Sequence, residues 1–304
     1  MMENDRPLVE ILLATYNGEK YLSELIDSLL EQSYRNILIT ISDDSSTDGT
    51  MEIIGKYQDE YPGLFRILPH ADRFGNAKDN FFFLLRNSVA DYVFLCDQDD
   101  VWLPEKVEIM MDELQKHDNE PALVHSDLKV VDSSLNTIAE SFIRFSNYNP
   151  EHEDFYSLIF MNTVTGCACA VNRALINMLN MTSISEYENI IMHDGWLAFI
   201  AASFGAIKFI DIPLILYRQH DNNSVGAVRY SFLGLKGLRK KVRIISRKKE
   251  QTNAFIRSYS NYLDTDIKQF LLGFCRRRSG VMFYIKYRTK IHGLKRMIGF
   301  LLYG

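Results

Sequence analysis

Apolar positions in the first hundred residues alternate between two patterns. Leu8 to Ala14 form a nearly continuous apolar run that stops at Thr15-Tyr16-Asn17-Gly18, as a buried strand does when it opens into a loop. Directly after it, Leu22, Leu25, Ile26, Leu29 and Leu30 recur at i, i+3, i+4, i+7 and i+8, which predicts an amphipathic helix. The cycle then repeats. "NILITISDD" predicts a second strand, residues 50–61 a helix and "LFRILPH" a short third strand, while "NAKDNFFFLLRNSV" predicts a helix and "DYVFLCDQDD" a fourth strand. This alternation predicts an α/β domain with a mostly parallel central sheet and helices on both faces.

Ligands of such sheets bind beyond the carboxyl ends of the strands. The polar clusters Thr15-Tyr16-Asn17, Asp43-Asp44-Ser45 and Asp97-Gln98-Asp99 sit at those ends and should line one crevice. From about residue 107 the pattern mixes. "KVEIMMDELQKH" predicts a helix, "ALVHSDLKVVD" a strand, and "TVTGCACAVNRALINML" a strand feeding a helix. "HDGWLAFIAASFG" predicts a buried helix, and "IKFIDIPLILYRQHDNN" a strand or strand pair that opens into a polar loop. No internal repeat or low-complexity segment interrupts the chain.

Charge divides the chain in two. The net charge of −5 over 304 residues conceals −21 in residues 1–227 and +16 in residues 228–304. The split predicts a boundary near residue 228, between an acidic domain over 1–227 and a basic C-terminal region over 228–304 with an anionic partner. Between Arg229 and Lys249, Leu235, Leu238, Val242 and Ile245 recur at helical spacing among basic residues. Such a helix suits an anionic membrane surface. The same segment could instead be a solvated tail packed on the acidic domain, or, with Arg276-Arg277-Arg278, bind nucleic acid. Nucleic acid is the least favoured partner.

The N-terminus carries no secretory pattern and no run approaches the length of a membrane span. Four cysteines without zinc-site spacing read as reduced, mostly buried thiols. Together these features predict a cytoplasmic protein, peripheral on the inner face of the plasma membrane.

The chemistry concentrates in "FLCDQDDVW", where Asp97, Asp99 and Asp100 follow an apolar run. Crowded carboxylates raise one another's pKa unless a cation intervenes, and hard divalent cations with oxygen ligands are the usual remedy. A solvated acidic turn before Pro104 would look similar. The second cluster, "ISDDSSTDGT", is in part an Asx-type turn and helix cap through Asp48 or Thr47, but this leaves Asp43 and Asp44 unexplained.

Taken in order, "ILLATYNGEKYLSELIDSLLEQSYRNILITISDDSSTDGT", "FGNAKDN", "FLCDQDDVW", "HDGW" and "YRQHDNN" resemble a family 2 glycosyltransferase of the GT-A fold, a Rossmann-like nucleotide-diphospho-sugar transferase. The details of "CDQDDVW", "HDGWLAFIAASFG" and "YRQHDNNSVGA" resemble bacterial rhamnosyltransferase-like members of polysaccharide biosynthesis. The resemblance implies that Ala14, Thr15 and Tyr16 flank the nucleotide base, and that Asp44 or Asp43 accepts a hydrogen bond from it. Lys78 and Asn80 would approach the nucleotide. Asp97 would meet the ribose or the metal, Asp99 would ligate Mg²⁺ or Mn²⁺, and Asp100 would support or cap. Asp194 would be the general base of an inverting transfer, although on sequence alone it also suits a helix N-cap. His193 stands where relatives often carry an acid. His220 would bind metal or phosphate, Arg218 phosphate, and Gly166 would let the donor sugar approach the backbone, unless it is a plain strand glycine.

The implied enzyme is a metal-dependent hexosyltransferase moving sugar from a nucleotide-sugar to a glycan acceptor, expected to be lipid-linked. dTDP-L-rhamnose is the favoured donor, with UDP-hexose or UDP-N-acetylhexosamine as alternatives. A non-catalytic nucleotide-sugar-binding scaffold at the membrane is the alternative of another class.

Overall fold

A computed structural model describes residues 6–148, 150, 153–220, 238–276 and 287. The central strand β1 (Val9–Thr15) is buried at nearly every position, because helices cover both faces of the sheet. It lies parallel to β2 (Ile37–Asp43) on one side and to β4 (Tyr92–Asp97) on the other, and β3 (Phe65–Ile67) extends the sheet parallel to β2. The crossovers carry α1 (Leu22–Leu30), α2 (Thr50–Glu60) and α3 (Ala77–Asn87). The apolar stripe of α1 is buried at Leu22, Leu25, Ile26 and Leu29.

Beyond β4 the strand direction changes. β8 (Cys169–Asn172) pairs antiparallel to both β4 and β6 (Ala122–Val131), and β9 (Ala206–Arg218) runs parallel to β6. The two-residue β5 (Val101–Trp102) closes that edge against β9, and β7 (Thr137–Ala139) pairs off β6, giving nine strands among the described residues. The structure thus has the expected α/β class, with most of its paired register parallel.

The stretch from Ile207 to Arg218 is a single strand and not a pair. Irregular register about Asp127, which lies opposite Pro213, absorbs the proline's missing donor without ending the strand. "TVTGCACAV" likewise starts with a 3₁₀ turn at Gly166–Ala168 before β8 begins. Both departures follow from backbone hydrogen bonding, which apolar periodicity does not report.

Later connections carry α4 (Lys106–Leu114), α5 (Phe142–Ser146), α6 (Phe155–Leu158) and α7 (Arg173–Leu179). The C-terminal helix α9 (Leu238–Tyr259) packs on the buried helix α8 (His193–Phe204), and α10 (Thr265–Cys275) packs on α9 and sets Phe270 against Phe155 and Phe160. Phe255 and Tyr259 belong to the same hydrophobic cluster as Trp196 and Phe199, and the Trp196 and Phe255 rings meet edge to face at 5.2 Å. The charge divide near residue 228 therefore does not coincide with a break in packing. Asn222, Asn223, Ser224, Leu235, Arg277 and Arg278 lie outside the described residues, as do the side chains of Leu238, Val242 and Ile245. Among the described residues no helix is long and apolar enough to cross a membrane, and none of the four cysteines is paired in a disulfide.

Candidate active site

Register brings the first acidic groups to one level. Thr15 lies opposite Asp43 and Ala14 opposite Asp97, so the carboxyl ends of β1, β2 and β4 open together. Asp43 accepts from the Thr15 hydroxyl (2.8 Å) and from the backbone N–H (2.8 Å) and hydroxyl (2.5 Å) of Ser46. These bonds hold a turn in which Ser45 is left-handed, with φ 64°. The Asp44 carboxylate is buried and accepts from the backbone N–H groups of Phe74 (2.5 Å) and Gly75 (2.8 Å). Gly75 has φ 72°, a conformation that glycine adopts at no steric cost. Asp44 lines the cavity described below.

Arg73 was not singled out by the sequence, yet its guanidinium lies 4.3 Å over the exposed Tyr16 ring and 3.8 Å from Asp44. Buried Asn80 donates to the Ser42 carbonyl at 3.0 Å and leaves its own carbonyl oxygen without a protein partner among the described residues. Lys78 turns away and bonds the Tyr187 carbonyl (2.5 Å) and Asp79 (3.2 Å).

The acidic loop after β4 is fixed from below. Gln98 accepts from Tyr16 N–H (2.8 Å) and donates to its carbonyl (2.9 Å), locking the first loop to the third. Asp99 meets His220 Nε2 at 2.7 Å, and the His220 ring stacks on Tyr21 with centroids 5.1 Å apart. Asp100 is wholly buried, accepts from the Arg218 backbone N–H at 3.1 Å, and is pushed well above the usual carboxylate range by burial and its neighbours Asp99 and Asp97.

Arg218 departs from its expected role. Its side chain is 2% exposed and donates to the carbonyls of Asp99 (2.7 Å) and Ser133 (2.9 Å) and to Glu24. It braces the acidic loop instead of facing the cavity. Beneath the loop, buried Lys106 donates to the Cys167 carbonyl at 3.0 Å and sits 3.1 Å over the Trp102 ring. Burial lowers its ammonium to about 8.

Asp97 shows the cost of this arrangement. Burial, then Asp99 and Asp194, raise its carboxyl to about 7, against the opposing charge of Lys106. Asp97, Asp99 and His220 offer two carboxylates and an imidazole at the mouth of the loop. This donor set suits a hard divalent cation, which would relieve the repulsion raising Asp97. A second set, Asp97, Asp100 and Cys167, has ligand atoms within 4.8 Å of one another, deeper in the fold.

Asp194 faces the same cavity from α8. Met192 takes the N-cap position and Asp194 sits in the first turn, its Oδ1 accepting from Gly195 N–H (2.5 Å) and Asn162 Nδ2 (3.2 Å). Burial raises its carboxyl to about 6, and the backbone N–H groups of Gly195 and Gly166 limit the rise. His193 is buried, stacks on Phe81 with centroids 4.3 Å apart, and has neither ring nitrogen partnered among the described residues. Burial drops its pKa to about 3, so it is neutral. A Cβ on Gly166 would lie 2.7 Å from His193 Nε2, so the missing side chain makes room for the imidazole.

One cavity of about 1330 Å³ joins these groups, lined by Tyr16, Asp44, Asp97 and Asp99 from the strand ends and by His193 and Asp194 from α8. Acids crowded at one wall and a single carboxylate of raised pKa at the other can hold a polyanion through a cation and remove a proton from a group beside it.

Residues 10–179 match the family described as Glycosyl transferase family 2. The dTDP-rhamnosyl transferase RfbG of Shigella flexneri is 31% identical over 235 residues, covering 73% of this chain and 78% of that protein. The uncharacterized glycosyltransferase RT0329 of Rickettsia typhi is 25% identical over 291 residues, covering 88% of each. Among solved structures, S. aureus TarS 1-349 in complex with UDP-GlcNAc superposes with a TM-score of 0.59 at 15% identity, covering 96% of this chain and 79% of that one. The mannosyltransferase PcManGT from Pyrobaculum calidifontis in complex with GDP-Man and Mn²⁺ gives 0.51 at 16%, covering 99% and 85%. The shared sheet, the acidic strand ends and these similarities place the chain in glycosyltransferase family 2, as an enzyme of the GT-A fold.

Proposed function

We propose that this enzyme transfers L-rhamnose from dTDP-L-rhamnose to a glycan acceptor, with inversion and dependence on a divalent metal, in bacterial cell-surface polysaccharide synthesis. The observation that carries the mechanism is the lone Asp194 carboxylate sharing one cavity with the Asp97–Asp99 cluster. The donor assignment is supported by the similarity to a dTDP-rhamnosyl transferase.

In this reading Tyr16 and Arg73 pack on the base, and Asp44 holds the 73–75 segment against it while accepting from a base N–H. Asp43 keeps the turn. Ala14, Thr15 and Asn80 line the nucleotide pocket, with the open Asn80 carbonyl oxygen as an acceptor there. Asp97, Asp99 and His220 would hold Mg²⁺ or Mn²⁺, which when bound supplies charge neutralisation to the departing diphosphate.

Asp194 takes the proton of the acceptor hydroxyl as that oxygen attacks the anomeric carbon from the face opposite the diphosphate. The bond from sugar carbon to phosphate oxygen breaks, and its electron pair leaves with the nucleoside diphosphate. One base suffices because no covalent intermediate forms.

Helix α9 exposes Arg243, Ile244 and Arg247. This supports docking on an anionic membrane face, at about 1 kcal/mol per basic residue near the surface, where a lipid-linked acceptor would be met. The test is nucleotide release from a panel of dTDP-, UDP- and GDP-sugars with Mn²⁺ or Mg²⁺ and membrane extract. Release from dTDP-rhamnose alone, abolished by EDTA and by Asp99→Ala, is expected. Release from a UDP-sugar instead would overturn the donor, and binding without any turnover would overturn the enzyme reading.

A further inference from the structure

The C-terminal helix α9 also lines the cavity that holds Asp194. Ile244, Lys248 and Gln251 line it from α9, spaced i, i+4 and i+7 on one face. Gln251 Oε1 accepts from the backbone N–H of Ile191 at 2.7 Å, two residues before His193. The α9 wall is therefore tied directly to the segment that presents the base.

Lys248 is the unusual member of this wall. It is half-buried, and its Nζ donates to the carbonyls of Ile159 (3.2 Å) and Phe160. Both of those residues also line the cavity. Neither carbonyl carries a charge, and among the described residues no carboxylate pairs with this ammonium. Burial alone shifts it, to about 8, so it remains mostly protonated at neutral pH. Burying a cation without a counter-ion is costly. A neutral donor could cap the two carbonyls without that cost. An ammonium also has three N–H groups, and two carbonyls leave one unused.

We propose that Lys248 forms an anion site on the acceptor side of the cavity and receives a phosphate group carried by the acceptor. This rests on the glycosyltransferase reading, because it places donor and acceptor on opposite sides of Asp194. Exposed Ile244 supplies apolar surface one turn from the charge, which suits a phosphate joined to a lipid. A soluble glycosyl phosphate presents the same anionic chemistry.

The experiment is calorimetric titration of the full chain with inorganic pyrophosphate in EDTA, so that no metal recruits the anion to Asp97 and Asp99. Wild type should bind. Lys248→Gln keeps an N–H donor for the two carbonyls but removes the charge, and should weaken binding about 10- to 100-fold with little change in melting temperature. Competition then separates the sources, since tighter binding of farnesyl diphosphate favours a lipid-linked acceptor and tighter binding of glucose 1-phosphate a soluble one. Equal affinity in wild type and Lys248→Gln, or no binding to wild type at millimolar pyrophosphate, overturns the proposal and leaves Lys248 a structural cap. The titration needs no turnover, so its outcome is independent of whether any nucleotide-sugar is hydrolysed.

Discussion

The two walls of the cavity handle polar groups in opposite ways. On the wall built by β1, β2 and β4, most carboxylates have partners: Asp43 has Thr15 and Ser46, Asp44 the 73–75 backbone, and Asp99 has His220. On the wall built by α8 and α9, among the described residues, His193 has no partner for either nitrogen and Lys248 has only neutral ones. The first wall is preorganised by hydrogen bonds to its own loops. The second leaves His193 and Lys248 short of partners, while on the first the exceptions are Asp97, raised to about 7, and the open Asn80 carbonyl oxygen. Unsatisfied buried groups cost stability, so they mark where stability has been exchanged for function.

The largest expected effect comes from Asp194→Asn, which should lower kcat by roughly 10²- to 10⁴-fold while metal and nucleotide binding persist. Because the Asp194 carboxyl is raised above its unfolded value, ionising it opposes folding, and stability from this group grows as pH falls through about 6. The substitution should therefore raise the melting temperature at pH 8, and wild-type activity should decline below pH 6. Loss of both activity and stability would break the comparison. Next, Asp99→Ala or EDTA should cost roughly 10²- to 10³-fold in turnover, measured as nucleotide release, since the first wall then lacks its cation.

Gly166→Ala should cost up to about 10²-fold in kcat by driving His193 and its neighbour Asp194 out of place. His193→Ala in the same chain should restore part of that loss, whereas no restoration would sever the link between the glycine and the imidazole. Asp44→Asn should weaken donor binding about 10-fold, since it removes a charge-assisted pair of N–H bonds. The smallest effect is expected for Lys78→Ala. Its ammonium pairs with Asp79 and the Tyr187 carbonyl away from the cavity, so donor KM should stay within about fivefold of wild type.

Local pattern was sufficient for the parallel half of the sheet. Its strands are apolar runs that end in polar clusters, and each cluster lies at a strand end because register in a parallel sheet aligns those ends. The acidic loops and the start of α8 were legible for the same reason, each being a short contiguous motif. The antiparallel half was less legible. Residues 207–218 read equally as one strand or a pair, and only the irregular register opposite Pro213 makes them one, while the 3₁₀ turn before β8 leaves no period to detect.

By itself the sequence determined what depends on neighbours in the chain: the alternation of elements, the acidic strand ends, the candidate base and the basic C-terminal stretch. Tertiary structure alone decided which charges are available. Arg218 reads as a phosphate ligand until it is seen buried against Glu24, Ser133 and Asp99, and Lys248 reads as one of many tail lysines until it is seen lining the cavity on the Ile159 and Phe160 carbonyls. The physical reason is that a side chain's type fixes its charge, but its desolvation and partners are set by segments far away in sequence that the fold brings against it.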